Sequence, residues 1–258
     1  MAAGTYKPTD DLDRTISFQM KNGVAIYGGF DPSVGDVAFE NRDWEANPTI
    51  LSGDLNGDDG PDFANNGENS YHVFYHPALL LDHTAILDGF IITGGNANHA
   101  TDTALRVGGG MFNAASSPAL TNCTFSGNSA DYRGGGIYND TSSPVLIDCL
   151  LEGNSAVERG GGMYNHQSPA VITNCTFDAN GARAGGGMSN WNASPTLTDC
   201  AFTENSAIEG GGAMDNYSSS PTLSNCTFSG NEAGTYGGGM INYSSSPTLT
   251  NCTFEDNS

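Results

Sequence analysis

Six cysteines stand at Cys123, Cys149, Cys175, Cys200, Cys226 and Cys252, at steps of 26, 26, 25, 26 and 26 residues. A period of that length confines a chain to solenoid architectures, in which each unit packs only on its neighbours and none buries its apolar face alone. Other positions keep the step. Asn113, Asn139, Asn165, Asn190, Asn216 and Asn242 follow a Gly-rich tripeptide and a Met- or Ile-containing pair. Pro118, Pro144, Pro169, Pro195, Pro221 and Pro247 come four or five residues later. The third repeat is shifted by one around Pro169, and Ala213 stands where other repeats carry Gly.

The fine pattern within a repeat is β. In Pro118–Asn128 apolar residues fall at Leu120, Cys123 and Phe125 with Thr and Ser between, a period of two broken once at Asn122. Two short strands with a corner between them account for the break. Gly109–Phe112 supplies a third strand, and Asn113 and Asn128 mark the other corners, because Asn tolerates left-handed backbone. The expectation is an all-β, right-handed parallel β-helix with three short strands per coil and about 26 residues per coil.

Stacked coils place equivalent residues about 4.8 Å apart, so they form ladders. The inward ladders are Met111, Ile137, Met163, Met188, Met214 and Met240; Leu120, Leu146, Ile172, Leu197, Leu223 and Leu249; the six Cys; and Phe125, Leu151, Phe177, Phe202, Phe228 and Phe254. Corner Asn amides are expected to bond from coil to coil. One domain is expected over 1–258, with irregular early coils over 1–107 and six regular repeats over 108–258. The early β-prone runs are Gly23–Phe30, Thr49–Gly53, Tyr71–His76 and Ile86–Asn96, and the long loops are Asp31–Pro48, Asp54–Ser70 and His99–Val107.

Composition narrows the function. Lys and Arg total 8 against 29 Asp and Glu, a formal net charge of -21, which repels a phosphate backbone and excludes nucleic acid as a partner. No stretch reaches the roughly 20 apolar residues of a membrane-spanning helix, so this segment is not expected to insert in a membrane. Met1–Asp10 has neither the basic start nor the apolar core of a leader peptide.

The repeats carry a family resemblance. Phe-x-x-Asn recurs as FSGN at Phe125, FDAN at Phe177, FTEN at Phe202, FSGN at Phe228 and FEDN at Phe254, and GGGI or GGGM recurs nearly once per coil. With the opening AAGTYKPTD, VAIYGGF and NPTILSGDLNGDD, the chain resembles the polymorphic outer membrane proteins of the chlamydial type and, more broadly, secreted bacterial surface β-helix proteins. That resemblance implies a pectin-lyase-like β-helix outside the cell, with adhesion or scaffolding as its role. No membrane-anchored barrel or sorting tail follows within these residues, a departure from that pattern.

Several groupings invite chemistry. Cβ atoms on adjacent parallel coils lie farther apart than a disulfide prefers, so the cysteines are expected to be free, buried thiols. The segment DLNGDDGPD presents Asp54, Asn56, Asp58 and Asp62 as a candidate Ca²⁺ loop, with a structural role. It departs from an EF-hand, since Asp59 and Asn65 replace the required Gly and Glu. His166, Trp191, Tyr217 and Tyr243 follow the ladder Asn in successive coils, an exposed aromatic line able to stack on sugar rings or on one another. Arg133, Arg159 and Arg183 are read as surface ion-pair partners of Asp131, Glu158 and Glu209. Eight Asn-x-Ser/Thr sequons fall mostly on ladder corners and carry no assigned function.

No catalytic residues are assigned, and an enzyme is not expected. A lyase needs a basic residue, but Lys7 and Lys21 both precede the regular coils; a hydrolase needs paired carboxylates, but Asp148 and Asp199 lie two coils apart. The reading is a cell-surface or secreted structural or adhesive module, with a host-surface protein or polysaccharide as partner. Two alternatives stand beside it. One is a polysaccharide-binding or polysaccharide-degrading β-helix, and the other is an end-to-end fibre subunit, because unpaired terminal coils invite stacking.

Overall fold

The computed structural model describes residues 1–33 and 38–258, so the expected loop Asp31–Pro48 lies partly outside the described residues. Thirty short strands wind into four parallel sheets of nine, eight, seven and six strands, with no α-helix among the described residues. One coil shows the plan. Ile137–Asp140, Val145–Ile147, Leu150–Glu152 and Ser155–Arg159 each pair in parallel with the coil before and the coil after, in register except for a shift between Ala156 and Arg159 against the following coil. By their recurrent buried residues we name these the Met, Leu, Phe and Ala sheets.

Each regular coil through Ala233 therefore has four strands, not the expected three. The missed strand follows the Phe-x-x-Asn tetrapeptide, as in Ser129–Ala130 and Gly181–Ala184, and its recurrent buried residue is a small Ala. The corners also differ from expectation. Asn113 lies inside the strand Met111–Ala114, and the left-handed residue there is Ala115, at φ 45°. Near Asn128 the left-handed residue is Gly127, at φ 60°. The corner at Asn122 is as expected, at φ 50°. A coil such as Ile137–Gly160 thus turns four times, at Thr141, Asp148, Gly153 and Gly160.

The four expected inward ladders form the core. Met111, Leu120, Cys123 and Phe125 are buried, as are their equivalents through Met214, Leu223, Cys226 and Phe228. All six cysteines are free thiols. Phe177, Phe202, Phe228 and Phe254 stack nearly face to face, with centroids 4.6, 4.9 and 4.5 Å apart. In the last coil Leu249 and Phe254 hold their ladder places but are 43% and 44% exposed, since no described coil lies above them.

Two asparagine ladders run inside the coil with their amides joined head to tail. Asn113 through Asn242 forms one, with Nδ2 to Oδ1 distances of 2.9–3.0 Å. Asn128 through Asn257 forms the other, at 2.8–3.0 Å. In that second ladder the other amide hydrogen goes to a carbonyl of the preceding coil, such as Phe125 O from Asn154 at 2.8 Å. Pairing from coil to coil lets so polar a residue be buried in every regular coil before the last.

The early runs join the same sheets. Ala25–Tyr27 and Ile86–Asp88 extend the Leu sheet; Gly4–Tyr6, Thr49–Ser52 and Ile91–Thr93 extend the Phe sheet; Phe74–Pro77 starts the Met sheet. One hydrophobic cluster is continuous from Met20 to Phe228. Within the described part of the long loops only short 3-10 turns form, at Phe39–Asn41, Pro61–Phe63, Asn66–Glu68 and Ala104–Arg106.

Candidate functional site

Strands of the Met sheet alternate in, out, in, out, so two outward ladders rise beside each other. The second position carries Phe112, Tyr138, Tyr164, Ser189, Asp215 and Ile241; the fourth carries Ala114, Asp140, His166, Trp191, Tyr217 and Tyr243. The expected aromatic line is the fourth-position ladder. Trp191 and Tyr217 stack at 4.2 Å, and Tyr243 is tilted 43° from Tyr217 at 6.4 Å. Tyr217 and Tyr243 remain 39% and 44% exposed. His166 does not join the stack; its Nδ1 lies 2.7 Å from Asp140 Oδ1.

The second-position ladder points outward yet is covered. Phe112, Tyr138 and Tyr164 stack at 5.5 and 5.4 Å, and Tyr164 is fully buried. The arginines that lead the Gly runs form the cover. Arg133 lies 4.3 Å from the Tyr132 ring and 5.0 Å from Tyr164, so it packs on aromatic faces instead of forming the expected surface ion pair. Arg159 sits 5.5 Å from the Trp191 ring and its Nη1 pairs with Asp215 Oδ2. Only Arg183 behaves as expected, joined to Glu158 and Glu209 at 2.9 Å each.

Asp215 is the residue that sequence reading missed. It is fully buried, Ser189 Oγ donates to its Oδ2 at 3.0 Å, and its Oδ1 has no partner. Burial pushes its pKa above the ordinary carboxylate value against the pull of Arg159. A carboxylate at a position held by Tyr138, Tyr164 and Ile241 in other coils was the available signal. Arg159, Glu209, Asp215, Tyr217, Ile241 and Tyr243 enclose much of a cavity of about 170 Å³. This pocket offers two tyrosine rings, a guanidinium and two carboxylates, that of Asp215 with a buried oxygen that lacks a donor.

The expected Ca²⁺ residues come together only in part. Asp54 and Asp58 converge, but with Asp59 and Glu68, each offering one oxygen within 4.8 Å of the others. Asp62 is not among the four. It sits at φ 55° in the turn Pro61–Phe63, and Asn56 is exposed.

No curated protein and no solved structure matches the chain. A family model for the right-handed β-helix region does match, over residues 15–207 and 183–258. The four parallel sheets wound around one ladder core accord with that match, and the chain belongs to the right-handed β-helix family.

Proposed function

We propose that the chain is an extracellular or cell-surface adhesive module that binds a neutral, hydroxyl-rich saccharide along the Trp191–Tyr217–Tyr243 ladder. The observation that carries this reading is Asp215, a buried carboxylate with one unpartnered oxygen, which lines a cavity rimmed by two exposed tyrosines. A sugar hydroxyl entering the cavity takes the Asp215 carboxylate as its acceptor while the pyranose face lies on a ring. The net charge of -21 disfavours polyuronates and other polyanions, which narrows the ligand to neutral glycans. Repeated coils suit adhesion because they set similar rings at one coil spacing along a rigid axis.

The test is a titration of neutral oligosaccharides against the full chain, read by Trp191 fluorescence in a Trp44→Phe background, since the chain has two tryptophans. Saturable quenching that Tyr217→Ala abolishes is the expected result. No response across a broad neutral panel, with the protein folded, rejects the proposal. A second reading, glycoside hydrolysis, draws on Glu209 and Asp215 sharing one cavity. Reducing-end release in the same samples, lost in Asp215→Asn, would put hydrolysis in place of adhesion.

A further inference from the structure

The loop that spans Asp54–Ser70 gathers four carboxylates with little positive charge to offset them: Arg14 lies near enough to Glu68 to feel its charge, but its guanidinium donates to the carbonyls of Asn69 and Asn96 and to Asn98 Oδ1. Asp54, Asp58, Asp59 and Glu68 lie within 4.8 Å of one another, and among the described residues none of them forms an ion pair. Lys7, the nearby lysine, spends its Nζ on the carbonyl of Leu55 at 3.1 Å. Like charges at this range repel, and a folded loop that holds them together needs something to offset the repulsion.

A second observation points to what that is. Oε1 of Glu68 is buried and has no hydrogen-bond partner. The neighbouring Asn69 is 1% exposed, and its Oδ1 is likewise buried and unpartnered. Its Nδ2 donates to Asp59 Oδ2 at 2.7 Å, which holds the amide against the carboxylates. Two buried acceptors without donors, beside four carboxylates of which none forms an ion pair, are what a site built for a cation shows when only its protein atoms are considered.

We propose that Asp54, Asp58, Asp59 and Glu68, with Asn69 Oδ1, bind one Ca²⁺ that clasps the 54–70 loop to the solenoid. The donors are all oxygen, with no His or Cys, which selects a hard cation. Five protein ligands in an irregular loop suit the adaptable shell of Ca²⁺ better than the octahedron of Mg²⁺, which retains its waters. The loop already touches later coils. Asn96 Nδ2 donates to the Asn66 carbonyl at 2.7 Å, and Asp59, Asn66 and Asn69 face Thr93 and Gly95 across a cavity of about 310 Å³. The ion fixes that docking from the loop side. This site is independent of the saccharide face, since it uses neither its residues nor its coils.

The experiment is isothermal titration of CaCl₂ into the full chain after EDTA treatment, together with limited proteolysis of the 54–70 loop. We expect one Ca²⁺ per chain above the diffuse counterion background, weaker binding of MgCl₂, and protection of the loop from cleavage. Asp59→Asn and Glu68→Gln should each weaken binding by tenfold or more, while Asp62→Asn leaves it unchanged. Circular dichroism confirms that each variant is folded, and either of the two ligand variants suffices. Several weak, equivalent sites unaffected by either variant would overturn the proposal, as would a folded wild-type chain that binds no Ca²⁺. Loss of binding in Asp62→Asn or Asn56→Ala, with Asp59→Asn unaffected, would overturn the ligand set.

Discussion

His76 donates from Nδ1 to Oδ1 of Asn113 at 2.8 Å, while its Nε2 accepts from the Met20 amide at 3.2 Å. The neutral ring thus sits at the head of the asparagine ladder, aimed so that every amide from Asn113 to Asn216 donates in the same direction. A chain of aligned amides needs an acceptor-matched start, and only the Nδ1–H tautomer supplies the donor that Asn113 Oδ1 requires.

Acidification should therefore unfold the early coils. Burial lowers the pKa of both His72 and His76 from 6.5 to about 4. Between those values the unfolded chain binds protons that the folded chain refuses, so stability falls as pH drops from 6.5 toward 4. Each histidine contributes about 3 kcal/mol over the full window. Urea midpoints measured from pH 7 to 5 should decline, and His76→Gln, which keeps a donor for Asn113, should make that decline distinctly shallower. An unchanged slope in the variant would mean that His76 titrates like an exposed histidine.

The ladder itself can be cut. Asn165 is fully buried, accepts from Asn139 and donates to Asn190, each at 2.9 Å. Asn165→Ala strands a donor on one side and an acceptor on the other, at a cost of about 3 kcal/mol. Asn242 is exposed and accepts only from Asn216, so Asn242→Ala should cost about 1 kcal/mol or less. Comparable losses for the two in chemical denaturation would contradict the ladder as a source of stability.

Much of this was legible in the sequence for a physical reason. In-register parallel stacking gives a residue and its equivalent one coil later the same surroundings, so one alignment on Cys123 yields the Met, Leu, Cys and Phe ladders together. The Ala sheet escaped because Ala130 and Ala156 carry too little apolar signal in strands as short as Ser129–Ala130. The corner at Ala115 escaped because Ala, Thr, Gln and Ser all take the left-handed turn at that place in different coils. Asp215 escaped for the opposite reason. The repeated letters encode the fold, whereas the pocket is built where Ser189, Asp215 and Ile241 differ from coil to coil, and where Arg159 reaches across two of them. The acidic site needed the tertiary path of the loop, which brings Glu68 back to Asp54.

The glycine runs divide into strict and tolerant positions. A Cβ on Gly186 would lie 2.3 Å from the Ser206 carbonyl and 2.6 Å from that of Gly212, both backbone atoms that cannot step aside. On Gly162 the nearest atom is the Gly187 carbonyl at 2.6 Å, but the equivalent residue two coils on is Ala213, which is accommodated fully buried. Gly186→Ala should cost about 3 kcal/mol and Gly162→Ala about 1 kcal/mol, at the two ends of the overpacking range. Thermal unfolding of the pair decides it, and equal losses would show that the coil spacing relaxes freely at either place.

Arg159 and Asp215 make the last test, because a buried ion pair and its broken halves differ sharply in energy. Arg159→Ala leaves Asp215 with Ser189 Oγ as its one hydrogen-bond donor among the described residues, and should cost about 3 kcal/mol at neutral pH. The loss should shrink on acidification. Asp215 already has a raised pKa through burial, and removing the guanidinium raises it further above the unfolded value of 3.8. A carboxyl raised in this way is most stabilising when protonated, and its contribution is lost as pH climbs through the folded pKa. The paired change Arg159→Leu with Asp215→Ile should restore most of the stability, since Ile241 already fills the equivalent place in the next coil. The same double variant removes the unpartnered oxygen and should abolish saccharide binding. Recovered stability with lost binding would assign Asp215 to the ligand instead of the fold; recovery of both would withdraw it from the site.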